Sequence, residues 1–288
     1  MKAHFGNQAL ASFYLWAENR YLNQQQAYIN YTSRLYYQDD NSAPAGYVAY
    51  AAPFKQWVYD SGVAGAIVIN AISGSNGQID RGQSGIKFDY DNGRVLLPTG
   101  FGTTAQLTGS YSIKEVNIYQ SNITQDELLT QGKFYINPRF LSTPTGTLPA
   151  YTMTTPAIFV NSLKVENKPW ALGGTDMCHY NMSMAIYTET PFQLQALLGC
   201  FEDAARSYIP ILDITDDPID ELGDLKTGYN YLSLRDLRGT PGNLMLINDV
   251  KTATISDVRI RMNLNQGLYA GIVDMDVSFP RQTANLYP

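Results

Sequence analysis

Charge is scarce in this chain. Only 16% of its 288 residues are Asp, Glu, Lys or Arg, against about 25% in an ordinary soluble domain. The cations are scattered and the net charge is −6. A duplex-binding surface needs a basic stripe, so the composition argues against primary nucleic-acid binding. It does not exclude an acidic ring through which DNA merely passes. Histidine and cysteine are scarcer still, at two residues each. Cys178 and Cys200 read as small buried hydrophobes rather than a disulfide framework. No apolar run approaches the ~18 residues of a membrane span. Residues 1–11 lack a charged-then-apolar leader, so folding in a cytoplasm is expected.

These shortages also thin out the chemistry. Asp176, Cys178 and His179 lie close in sequence, but strand alternation turns His179 away from the other two, and no second histidine completes a zinc site. Nucleophilic catalysis needs a base beside Ser or Cys, and no such pairing or GxSxG elbow is legible. The glycine-rich run at 100–104 lacks the lysine and the following helix of a phosphate loop. An acidic stretch, Asp213, Asp216, Asp217, Asp220, Glu221 and Asp224, has no EF-hand spacing. It remains open as an irregular calcium site, a solvated loop, or the acidic half of a subunit contact. The expectation is therefore a non-enzyme with no catalytic residues, cofactor or resident metal.

Tyrosine, by contrast, is abundant, at 21 residues, within a 44% hydrophobic composition. Aromatic rings give contact area at low entropic cost, whereas buried charge is expensive, so a polar, uncharged, Tyr-rich surface suits large interfaces. Trp16, Trp57 and Trp170 could instead line a sugar-binding face. Their scatter along the chain favours core and interface use.

The order of patterns predicts a β-rich α+β fold. An amphipathic helix is expected over 9–28, with Leu10, Phe13, Tyr14, Ala17, Tyr21 and Tyr28 on one stripe and Ser12, Glu18, Asn19 and Gln26 opposite. Short strands follow at 47–51, 55–59, 66–71, 85–90, 94–98 and 110–119. Asn92-Gly93 suits a two-residue hairpin turn, which would set Asp91 opposite Arg94, Tyr90 opposite Val95 and Phe88 opposite Leu97. Thr124 and Glu127 form a capping box for a short helix. The Pro- and Thr-rich stretch 137–156 reads as an extended arm between two domains, 1–136 and 157–288. In the second, strands at 157–166 and 176–188 precede a helix with Thr190 as N-cap and Pro191 at its first position. Its stripe is Leu194, Leu197, Leu198, Phe201, Ala205 and Tyr208, and Ile209-Pro210 ends it. An irregular segment is expected to Pro241. A final hairpin with its turn at Gln266-Gly267 would set Val258 against Met275, Arg259 against Asp274 and Ile260 against Val273. The expected whole is an N-terminal helix with an antiparallel β domain, then an antiparallel sheet carrying a packed helix.

Two stretches carry a family resemblance. The run from Phe159 to Ile211, containing ENKPWALGGTDMCHYNMSMAIYTETPFQLQALLGCFEDAARSYIP, resembles neck and tail-terminator (head–tail connector) proteins of tailed bacteriophages. The hairpin SGIKFDYDNGRVLLP followed by TGSYSIKEVNIY is similar to segments of phage virion proteins. The resemblance covers about half the chain and implies a structural virion component, assembled in the host cytoplasm, forming a homo-oligomeric ring at the head–tail junction. Its partners would be copies of itself and neighbouring connector or tail proteins, with DNA passing unbound and no membrane contact. The expected contact residues are Phe13, Trp16 and Tyr21 on the first helix, Pro138, Phe140, Pro144 and Pro149 in the arm, and Asp216, Asp217 and Asp220 in the acidic stretch. The alternatives are a capsid-decoration or collar protein and, from another class, a carbohydrate- or receptor-binding module of a tail fibre.

Overall fold

The computed structural model describes residues 5–39, 42–75, 77–121, 135–136, 153–171, 175–256 and 267–282. It is a β-rich α+β protein. Helix α1 (Phe5–Gln25) leads into a seven-stranded sheet ordered β4-β3-β7-β1-β2-β6-β5. Those strands are β1 (Tyr28–Tyr37), β2 (Tyr47–Ala51), β3 (Ala71–Gly74), β4 (Gly77–Asp80), β5 (Lys87–Asp89), β6 (Arg94–Pro98) and β7 (Leu107–Lys114). The chain then enters a six-stranded sheet through β8 (Asn117–Gln120), which runs parallel to β11 (Ala157–Ala171). Between them β9 (Tyr135–Ile136) pairs with β10 (Thr154–Thr155). The second sheet is completed by β12 (Thr175–Thr188), β13 (Tyr208–Pro210), β14 (Leu244–Thr254) and β15 (Tyr269–Gln282), in the order β13-β14-β15-β12-β11-β8. Helix α2 (Pro191–Glu202) lies on that sheet, and α3 (Tyr231–Arg238) precedes β14.

The two halves share one core. A single cluster of buried side chains runs from Phe13 and Trp57 to Phe201 and Val277, and β8, from the first half, is a strand of the second sheet.

Helix α1 departs most from the amphipathic expectation. It covers 5–25 rather than 9–28, and Tyr28 already belongs to β1. Both of its faces are buried, including Ser12 at 0%, Glu18 at 3% and Asn19 at 8% exposure. A helix enclosed all round must satisfy its polar side chains internally. Ser12 Oγ donates to Gln8 O and accepts from Leu212 N at 2.8 Å. Arg20 Nε donates to Cys200 O at 2.8 Å and its guanidinium lies 5.6 Å from the Trp16 ring centre. Phe13, Trp16 and Tyr21, expected as contact residues, are at most 7% exposed. They pack in the chain's own core, Trp16 against Phe201 with ring centres 6.2 Å apart.

Two expected registers and one helix end change for identifiable reasons. The β5–β6 hairpin pairs Asp89 with Arg94 and Phe88 with Val95, two residues away from the expected register. Asp89 Oδ1 accepts Asn92 N, three residues on, at 3.1 Å, a side-chain bond that closes a four-residue loop. Arg94 therefore pairs with Asp89, at 2.8 Å, instead of Asp91. Gly93, at φ 62°, packs so closely that a Cβ there would collide with the Phe54 carbonyl oxygen. In the C-terminal pair, β15 meets β14 rather than 258–260: Val250 faces Met275 and Lys251 faces Asp274. The alternation had suggested the later partner, but the apolar run Leu244–Ile247 supplies the strand. Helix α2 has the expected cap, Thr190 Oγ1 accepting Gln193 N at 3.1 Å. It stops at Glu202, because Arg206 turns to φ 64° and Tyr208 begins β13, 60% exposed rather than on the apolar stripe. Segments 55–59 and 66–71 are mostly irregular, while β1 was not anticipated. The capping-box helix at 124–129 lies outside the described residues.

Candidate functional site

A cleft of about 880 Å³ lies between α1, the 89–92 loop, β8 and the acidic loop that follows Leu212. Tyr14, Tyr59, Gln56 and Asp91 are among the residues lining it. Its inner wall rests on buried polar groups. Glu18 Oε1 lies 2.8 Å from Lys114 Nζ, and both side chains are at most 4% exposed. Tyr59 donates to Glu18 Oε2 at 2.6 Å, and the Lys114 ammonium sits 4.7 Å from the centre of the same tyrosine ring. Burial pushes the Tyr59 hydroxyl well above its ordinary range, reinforced by the Glu18 charge. It stays protonated and donates. Asn19 Nδ2 holds Asp60 at 2.8 Å, whose other oxygen accepts Gly62 N and Tyr231 N.

Asp91 differs from these. Water reaches its side chain through the cleft, yet protein surrounds it on the other sides, and this desolvation raises its carboxyl to about 6. Lys114 opposes the rise, and Asp89, Glu18 and Asp217 add to it.

The acidic loop spends its carboxylates within the chain. Arg238 grips Asp216 with two bonds of 2.8 Å. Lys87 bridges Asp220 at 3.0 Å and Asp224 at 3.3 Å, and Arg81 reaches Asp224 at 2.9 Å. Lys226 lies 3.5 Å from Asp217. The loop is thus a strap, tying the segment before β14 to β5 and to the residue after β4. Asp216, Asp217 and Asp220 each pair with a cation of the same chain. Among the described residues no group of three or more His, Cys, Asp or Glu is placed to hold a metal.

Trp16 and Trp57 form no sugar platform. Trp57 is fully buried and stacks on Tyr111 with centres 4.7 Å apart, and Trp16 is 7% exposed. The side chain of Trp170 lies outside the described residues, as do Pro138, Phe140, Pro144 and Pro149.

The feature that sequence reasoning missed is a strand edge left open among the described residues. At about 3.3 Å per residue, the 15 residues of β11 span roughly 50 Å. β12 pairs with it almost throughout, but β8 covers only Ala157–Val160 of its other side. Beyond that, Leu163 is 51% and Val165 49% exposed. The alternation Leu163, Val165 against Lys164, Glu166, Lys168 was the legible signal. Comparison with known proteins found no family model that matches the chain and no curated protein with significant similarity to it.

Proposed function

We propose that this chain is a structural subunit of a tailed-bacteriophage virion, closing a homo-oligomeric ring at the head–tail junction beside connector or tail proteins. One observation carries the reading: the β11–β12 hairpin presents an edge that no described strand covers beyond Val160, bearing half-exposed apolar side chains. Strands with unpaired N–H and C=O groups are templates for another chain, and assembly proteins use them so. The ionisable groups support the same reading from the other side. Glu18, Lys114, Asp89, Arg94 and Asp216 serve as internal struts. A ring also needs a second, heterologous surface, one face of each subunit docking on a different face of the next. DNA would pass such a ring without specific binding, in keeping with the net charge of −6. No helix among the described residues is long and apolar enough to cross a membrane.

A capsid-decoration or collar role shares the assembly chemistry. The burial of Trp16 and Trp57 takes two of the three tryptophans away from the receptor-binding alternative. Electron microscopy of the purified protein tests the proposal: closed rings of one size are expected. Single particles that never close, even at the highest soluble concentration, would count against it.

A further inference from the structure

The open stretch of β11 carries a charge pattern that fits itself. A β-bulge between Ser162 and Lys164 makes Leu163 an extra residue. After it, Lys164, Glu166 and Lys168 follow at every second position and so share one face of the strand. Lys168 lies 3.1 Å from Glu166, and Lys164 pairs with the same carboxylate. The lysine side chains are 63% and 64% exposed. Hydrogen bonds from Lys164 and Lys168 hold the Glu166 carboxyl down to about 2, so it is charged at working pH.

Consider the ways two such edges can meet. Parallel pairing in register sets like charge against like. Antiparallel pairing centred on Lys164 or on Glu166 does the same at its centre. Centring on Asn167 matches Glu166 with Lys168, but it sets Pro169, which has no N–H to donate, against Val165. Centring on Val165 sets Lys164 opposite Glu166 of the second copy, twice, and Val165 opposite Val165. That register alone pairs both the charges and the apolar side chains.

We propose that two copies of this chain dock edge to edge through β11, antiparallel about a twofold axis at Val165. The six-stranded sheet then continues from one copy into the other, and the half-exposed Leu163 and Val165 gain cover. Such a contact is isologous and stops at two copies. It takes up the same edge on which the ring reading rests, so a ring would close through a further, heterologous contact elsewhere on the subunit, and the cross-links below test the edge contact whether or not rings form.

Directly opposed residues in an antiparallel pair have Cβ atoms about 4.5–5.5 Å apart. Val165→Cys in the full chain should therefore give a disulfide-linked dimer under mild oxidation. Asn167→Cys, opposite Leu163, should not. The native Cys178 and Cys200 are buried and do not interfere. Lys164→Glu places carboxylates opposite one another and should weaken dimerisation at least about tenfold. The double change Lys164→Glu, Glu166→Lys restores complementarity and should restore the dimer. Equal cross-linking at 165 and 167, or a dimer indifferent to Lys164→Glu, would overturn the proposal. So would a Val165→Cys variant that stays monomeric under mild oxidation.

Discussion

Removing Lys114 alone would leave Glu18 charged, buried and facing only a tyrosine hydroxyl. Breaking a buried pair from one side costs about 3–5 kcal/mol, whereas replacing both partners by apolar groups of similar volume is often close to neutral. Lys114→Met should accordingly lower the unfolding free energy by that amount. Glu18→Leu together with Lys114→Met should recover most of it, and denaturant unfolding of the four proteins measures the difference. Asp91 gives a pH-dependent prediction. Its folded-state value of about 6 lies above the ordinary 3.8, so the folded protein holds this proton more tightly than the unfolded chain. The stability that follows is complete below about pH 4 and is lost as pH rises through 6. Asp91→Asn should raise the melting temperature at pH 8 by about 2–4 °C, on the order of 1 kcal/mol after allowing for the water that reaches the cleft. At pH 4 it should change little. Neither residue's role was legible in the sequence. Glu18 falls on what reads as the polar face of α1, and the partner that explains it, Lys114, comes 96 positions later.

Local chemistry was legible where it is self-contained. The Thr190 cap, Pro191 and the Leu194, Leu197, Leu198, Phe201 stripe place α2, because each signal acts within a turn or two of helix. Strands β2 and β6 were bounded correctly by their own flanking residues. Helix α3 was missed, although Asn230 caps it by accepting Ser233 N at 3.0 Å and Gly239 ends it. With only Tyr231 buried on it, no apolar stripe marks it out. Registers failed for a different reason. Alternation fixes which face a residue takes but not which strand it meets, so shifts by even numbers leave the pattern intact. The β5–β6 hairpin moved by two and the β14–β15 pair by eight. Two substitutions weigh these local signals. Thr190→Ala removes one cap and should cost about 1 kcal/mol. Gly93→Ala meets both a left-handed backbone and the Phe54 carbonyl, and should cost more, about 2 kcal/mol or above. Thermal unfolding of both variants ranks them.

Over the whole molecule, one helix organises two sheets. Helix α1 reaches Lys114 and Tyr59 of the first half, Cys200 and Phe201 on α2, and Leu212 after β13. The acidic strap adds a second tie, from Asp220 and Asp224 to Lys87 and Arg81. Phe13, Trp16 and Tyr21, expected at subunit contacts, are therefore spent inside the subunit. That shifts the assembly argument from the tyrosines of α1 to the edge of β11. Most of the site could not be read in advance for the same reason: whether an aromatic or acidic residue faces a neighbour or its own core depends on long-range packing. The central claim is that the subunit works by closing a ring. Its mass in solution, measured by light scattering over a wide range of concentrations with and without a chelator, tests this most directly. The account predicts a fixed multiple of the 32.0 kDa subunit, larger than two copies and insensitive to dilution and chelator. A monomer or a dimer at every concentration would contradict it.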